Sequence, residues 1–279
     1  MDTATAVDLT HGLPTREYAG GKMLAARRDG VGVVTFNQPE KHNAMSVEMW
    51  LGLAEILAEF RADDGVRIVV LTGAGGRAFV SGADISQFEQ RRSNADAQRA
   101  YDEQTAQGRR ALHGFSKPTI AAIRGYCLGG GLALAMQADL RISDTSGQFG
   151  IPAARLGIAY GFDGLRRLVT LVGHANARLL LYTASRIPAS EALRIGLVNR
   201  VVSQEQLGAC VFELAEQIAA NAPLSVAAAK LGIDQVLLDP ADRDLEALAA
   251  ATAACFDSQD YREGRTAFRE KRQPRFVGR

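Results

Sequence analysis

Residues 124–139 read RGYCLGGGLALAMQAD, and the three consecutive glycines Gly129, Gly130 and Gly131 constrain this chain more than any other feature. They run straight into an apolar segment of small residues that is expected to be helical. Amides in the first turn of a helix have no intrahelical acceptor, and the macrodipole adds partial positive charge. Glycine puts no side chain in front of them, so a developing anion can sit against the Gly130 amide. A second bare amide is expected in FVSGADISQF, residues 79–88, where Gly82 allows a tight turn and Ala83 presents its N–H. Two converging amides make an oxyanion hole.

Composition bounds the rest. A chain of 279 residues with 47% hydrophobic content can bury a large core as one domain or as a domain with an appendage. The 32 basic and 31 acidic residues leave a net charge of +1, which gives no whole-chain basic field for nucleic acid or a membrane surface. Cys127, Cys210 and Cys255 are odd in number and far apart, unlike a zinc site or a disulfide framework, and a reducing cytoplasm is the expected setting. No apolar run approaches the roughly 20 residues of a membrane span. The opening MDTATAVDLTHGLPTREY lacks the apolar stretch of a signal peptide, and residues 1–20 are expected to form a flexible tail.

Periodicity places the elements. VGVVTF at 31–36 predicts a strand ending at the turn Asn37-Gln38-Pro39, with Ser46 as N-cap of a helix reaching Phe60. Met49, Leu53, Ile56, Leu57 and Phe60 give that helix one apolar face. Apart from Arg67, residues 66–71 form an apolar run, expected to be a strand buried on both faces. Residues 99–115 predict a helix, and 118–123 and 140–143 predict strands. Beyond Ala175 helix follows helix, with Pro188 and Pro223 suited to first turns and Ser203 with Gln206 matching a capping box.

One competing motif needs weighing. Gly73-Ala74-Gly75-Gly76-Arg77-Ala78 fits the dinucleotide fingerprint G-x-G-x-x-A after a strand. That fingerprint requires a helix to open at once, whereas RAFVSGAD carries aromatic, β-branched and glycine residues there. No G-K-[S/T] follows any glycine run, which removes a nucleotide triphosphatase.

Taken in order, NQPEKHNAMS (37–46), VRIVVLTGAGGRAFVSGADIS (66–86), the glycine triplet, QFGIPAARLGI (148–158) and EGRTAFREKRQPRF (263–276) resemble the crotonase superfamily, the enoyl-CoA hydratase/isomerase family. The resemblance implies an α/β fold, a crotonase-type spiral of ββα units over residues 21–200. A C-terminal α-helical oligomerisation region over 201–279 would assemble a homotrimer or a dimer of trimers. It implies that the amides of Ala83 and Gly130 hold the thioester oxygen of an acyl-CoA. It places Ala44, Asp84, Ile85 and Ser86 along the coenzyme A moiety, and Phe268 and Lys271 at its adenine and phosphates, often from a neighbouring subunit. No metal, redox cofactor, nucleic acid or membrane is implied; coenzyme A enters with the substrate.

The same resemblance exposes a departure. The family's two hydratase glutamates fall on Ala133 and Ala153. General acid–base groups contribute about 10²–10⁴-fold each, so two-glutamate hydration is expected to be crippled. Asp163 and Tyr160, in AYGFDGLRRL, are the candidate substitutes, because relatives use an aspartate or a tyrosine near this turn; ungapped counting puts Tyr160 and Gly161, rather than Asp163, on those positions. The structural readings are that Asp163 caps a helix and Tyr160 packs at the surface. An isomerisation or the cleavage of a β-keto thioester is favoured over hydration, and a non-catalytic acyl-CoA carrier or sensor is the alternative. His42 lies in the segment resembling the coenzyme A loop, Asp84 is expected to hold its turn, and His113, His174 and Cys127 read as structural.

Overall fold

In the computed structural model, which describes residues 9–84 and 95–279, two sheets grow together. Strands β1 (Thr15–Tyr18), β2 (Met23–Arg28) and β3 (Val31–Phe36) run antiparallel. The chain then alternates: β4 (Ile68–Gly73), β6 (Thr119–Ile123) and β8 (Leu140–Asp144) join the first sheet, while β5 (Ala78–Val80), β7 (Tyr126–Leu128) and β9 (Gln148–Gly150) build a second. Each turn of the resulting spiral adds one parallel strand to each sheet. The larger sheet has the order β1-β2-β3-β4-β6-β8-β11, closed by β11 (Arg200–Val202), and the smaller has β10-β9-β7-β5, edged by β10 (Ile187–Pro188).

The apolar runs are continuous because both faces of the larger sheet are covered. Val34, Phe36, Val69, Leu71, Ala121 and Ile123 point into the main core, and the alternate residues Val33, Ile68, Val70, Ile120 and Ala122 point into a second core. Helix α1 (Val47–Ala62) lays Met49, Leu53, Ile56, Leu57 and Phe60 on the first, capped by the Ser46 hydroxyl, which accepts from Met49 N at 3.3 Å. Full burial of one such side chain contributes about 1.5–3 kcal/mol. Helix α2 (Ala95–His113) packs on α1, where a β-carbon on Gly108 would lie 2.3 Å from Trp50 O. Helices α3 (Gly130–Ala135), α4 (Phe162–Thr183) and α5 (Ala189–Arg194) complete the spiral. Helices α6 (Leu207–Ala219), α7 (Pro223–Val236), α8 (Leu245–Asp257) and α9 (Gln259–Glu270) follow, α6 covering the second core with Leu207, Val211, Ala215 and Ala219.

Three expectations change. The segment 1–20 is not tail throughout: β1 pairs with β2, and Leu9 is buried against α6, because the edge of an antiparallel sheet offers hydrogen bonds that a polar tetrapeptide can satisfy. The capping box at Ser203 does not form. Helix α6 starts at Leu207 without a side-chain cap, and the Ser203 side chain instead bonds Glu205, holding that carboxyl below its ordinary range. Pro188 is the N-cap of α5 rather than a first-turn residue, whereas Pro223 does open α7. Gly73–Ala78 turns directly into β5, so the helix that a dinucleotide site needs is missing. Among the described residues no helix is long and apolar enough to cross a membrane.

Candidate functional site

Strands β5, β7 and β9 are parallel neighbours, so the loops leaving their C-terminal ends emerge side by side. They carry, in that order, Ala83, Gly130 and Ala153. Ligands gather at such carboxyl ends in open α/β sheets.

The first loop is shaped from outside. Ala83 forms an isolated parallel bridge with Met45: Met45 N donates to Gly82 O at 2.8 Å and Asp84 N donates to Met45 O at 3.0 Å. Alternation along an extended chain turns the Ala83 N–H away from that partner. Asn43, fully buried, organises the supporting segment. Its Oδ1 accepts from Gln38 N at 2.9 Å, and its Nδ2 donates to Ala74 O at 3.0 Å and Ala78 O at 2.8 Å. Asn43 takes φ 56°, a left-handed conformation that asparagine tolerates better than most residues. Asp84 is buried, and its Oδ2 accepts from Lys41 Nζ at 2.9 Å, which raises the lysine pKa. Ala44 is also buried here. Ile85 and Ser86 lie outside the described residues.

The second loop turns on glycine. Gly129 has φ 51° and ψ −116° and donates its N–H to Gly150 O at 2.8 Å, tying β7 to β9. The first intrahelical bond runs from Ala133 N to Gly129 O at 3.0 Å, so the Gly130 N–H precedes it and has no acceptor within α3. A β-carbon on Gly131 would lie 1.9 Å from Val80 O, which explains why α3 can press against β5 only with glycine there. A β-carbon on Gly130 would lie 3.6 Å from Ala83 N. The two predicted amides are thus adjacent across one small gap.

Around this gap the carboxylate positions hold methyl groups. Ala133 sits in α3 and Ala153 in a 3-10 turn of residues 152–156, whose Pro152 Cδ is 3.7 Å from a β-carbon placed on Gly129. Tyr160 is half-buried against the main core. Its hydroxyl is buried without a hydrogen-bonding protein group, and burial pushes the phenol pKa up. Its ring sits against Gly164, where a β-carbon would lie 2.5 Å from Cε1. Asp163 is exposed in the first turn of α4, and its charge acts on His113 at the end of α2. Four residues on, Arg167 donates to His113 Nδ1 at 2.5 Å and reaches Met136 O at 3.5 Å, so α2, α3 and α4 are joined at that end.

The remaining candidates fall into place around these. His42 meets Tyr126 edge-on at 5.8 Å, and its buried Nδ1 has no protein partner. Cys127 is fully buried, with its thiol pKa pushed up by burial, which keeps it protonated and inert. His174 starts the second half of α4, after a break at Gly173 with φ 73°. Phe268 and Lys271 lie on the C-terminal helices. Phe268 is 87% exposed and lines a cavity of about 520 Å³ with Phe256, Tyr261, Arg265 and Phe276; Lys271 caps α9 at φ 55°. Among the described residues no cluster of three or more histidine, cysteine, aspartate or glutamate side chains could hold a metal ion. Sequence reasoning missed Asn43 as the organiser of the first loop; the signal was an asparagine inside a turn-rich segment.

Comparison with known proteins adds independent findings. The sequence pattern of the family described as enoyl-CoA hydratase/isomerase matches residues 26–279. A short-chain-enoyl-CoA hydratase of Clostridium acetobutylicum is 40% identical over 251 residues, which cover 90% of this chain and 95% of the relative. A crotonyl-CoA hydratase of Syntrophomonas wolfei is 37% identical over 263 residues, 92% of this chain and 98% of the relative. The crystal structure of an enoyl-CoA hydratase/carnithine racemase from Magnetospirillum magneticum superposes with a TM-score of 0.88 at 37% identity, covering 92% of this chain and 96% of that one.

Proposed function

The chain belongs to the enoyl-CoA hydratase/isomerase family, and from that premise we propose that it is an acyl-CoA enzyme that holds a thioester enolate between the Ala83 and Gly130 amides. The observation that carries this reading is the 3.6 Å approach of Ala83 N to the β-carbon position of Gly130, between two loops at the ends of adjacent parallel strands. One preorganised donor of this kind is worth about 2.7–4 kcal/mol of transition-state stabilisation. The coenzyme A moiety runs past Ala44, Asp84, Ile85 and Ser86, with Phe268 and Lys271 contributed to the adenine and phosphates of a neighbouring subunit's substrate.

The named relatives are hydratases, but methyl groups at Ala133 and Ala153 cannot activate water or protonate the α-carbon. The favoured reactions are therefore isomerisation and β-keto thioester cleavage. In the first, Asp163 takes the α-proton, the amides hold the enolate oxygen, and the proton returns at the γ-carbon. In the second, water adds to the β-carbonyl, the Cα–Cβ bond breaks, and the enolate so released is protonated at the α-carbon. The same two alanines favour one other reading, a carrier that binds acyl-CoA without turning it over.

Turnover of a thioester panel beside calorimetric binding separates these. We expect binding of acyl-CoA, slow hydration of crotonyl-CoA, and faster isomerisation or β-keto cleavage that Asp163→Asn suppresses. Hydration at ordinary enzyme rates would defeat the reading of Ala133 and Ala153, and binding with no turnover on any thioester would select the carrier.

A further inference from the structure

Helix α9 ends in a turn that sends the chain back along it. Lys271 takes φ 55°, a left-handed conformation rare for lysine, while Lys271 N donates to Phe268 O at 3.3 Å and Arg272 N to Ala267 O at 3.1 Å, the pattern of a Schellman motif. Residues 272–279 then run back beside the helix without joining a strand. Their pairing descends α9 in order. Arg272 forks onto the Glu263 carboxylate at 2.6 and 2.9 Å, and Arg275 N donates to the same group at 2.8 Å. Asp260, only 2% exposed, accepts from Val277 N at 2.7 Å on one oxygen and from Gly278 N at 2.8 Å on the other. Gln259 N donates to Arg279 O at 2.7 Å.

This strap is also fixed to the spiral. Arg67, immediately before β4, donates one Nη to Ala219 O, at the end of α6, at 3.1 Å and the other to Phe276 O of the strap at 2.5 Å. The Phe276 ring lies on α9, its Cε1 3.5 Å from the β-carbon position of Gly264. Hydrogen bonds with an ionised partner are shorter and about twice as strong as neutral ones. Helix α9 buries only Asp260 and Ala267, so apolar packing holds it weakly and the strap supplies the grip. From its outer end Phe268 and Lys271 both stand exposed.

We propose that Asp260, Glu263 and Arg67 are positioning residues for coenzyme A, which act through the strap to hold Phe268 and Lys271 where the nucleotide end of an acyl-CoA meets them. This rests on the acyl-CoA reading above and adds to it a tether between the first sheet and the residues that grip the nucleotide. A left-handed lysine persists only while its surroundings impose it. With the strap released, Lys271 relaxes and the last turn of α9, Phe268 included, loses its fixed place. Ordering those side chains then has to happen on binding, which costs affinity.

The probe is butyryl-CoA, which has neither a double bond nor a β-carbonyl to react. Calorimetry on the whole chain should show its Kd raised about fivefold or more by Asp260→Asn, and likewise by removal of residues 274–279. Phe268→Ala combined with Lys271→Ala should raise it at least as much. In that double variant Asp260→Asn should add less than about twofold, because a group that works through another has no effect once the other is gone. Glu263→Gln, which loosens the other grip on the strap, carries the same cycle where Asp260→Asn does not fold. Full additivity overturns the proposal, as does an unchanged Kd in Asp260→Asn or in the Phe268 and Lys271 double variant. A changed sedimentation mass in Asp260→Asn also overturns it, by placing the effect in assembly. Failure of the wild-type protein to bind butyryl-CoA would instead defeat the acyl-CoA reading itself.

Discussion

Gly130 and Ala83 are 47 residues apart in sequence yet adjacent in space, with Ala83 N 3.6 Å from the position a Gly130 β-carbon would take. That spacing is ordinary van der Waals contact, and Gly130 does not have a positive φ, so Gly130→Ala fits the fold. The added methyl nevertheless fills the gap a thioester oxygen would need. We expect unchanged or slightly raised thermal stability, because alanine is the better helix former. Thioester turnover should fall about 10²–10³-fold. Near wild-type turnover would mean that the two amides do not share a ligand.

Asn43→Ala should be costly for a different reason. It strips the partners from Gln38 N, Ala74 O and Ala78 O while leaving a left-handed backbone that alanine resists. Buried polar groups left unpaired cost about 1–3 kcal/mol each, partly relieved by relaxation, so a loss of roughly 2–5 kcal/mol is expected. Urea unfolding should show a lower midpoint at unchanged slope. A midpoint within error of wild type would show that the loop holds itself without Asn43.

The His113–Arg167 pair predicts a sensitivity to acid. Burial, and then the Arg167 charge, hold the His113 pKa below the ordinary value of about 6.5, and the Arg167 guanidinium needs an unprotonated Nδ1 as acceptor. As pH falls through about 6.5, the unfolded chain takes up a proton that the folded state refuses, so stability declines from there downward. Melting curves between about pH 7.5 and 5 should fall more steeply for wild type than for His113→Gln. Parallel curves would remove His113 as the cause.

The C-terminal helices predict association. Ile233, Val236 and Leu237 at the end of α7, Leu245 of α8 and Phe268 of α9 are all exposed, from 47% for Leu237 to 87% for Phe268. Exposed apolar side chains gathered on one region mark interaction surfaces. Sedimentation should give the mass of three or six chains, reduced by the double substitution Val236→Lys and Leu245→Lys. A wild-type monomer at micromolar concentration would contradict the proposed trimer.

Much of this molecule could be read from local sequence. The triplet Gly129–Gly131 follows from backbone geometry, because one turn and one close approach tolerate no side chain. The buried strands announce themselves as apolar runs because covers on both sides of the larger sheet remove any need for polar alternation, as Val69 and Val70 show by entering different cores. Ser46 caps α1 through a bond to a residue only three positions away. The tertiary structure alone decided what depended on distant partners. Ser203 abandoned its expected cap for Glu205, and the polar segment around β1 was recruited by a sheet edge. Tyr160 turned its hydroxyl out of solvent against the main core, a burial set by residues distant in sequence that no short stretch encodes.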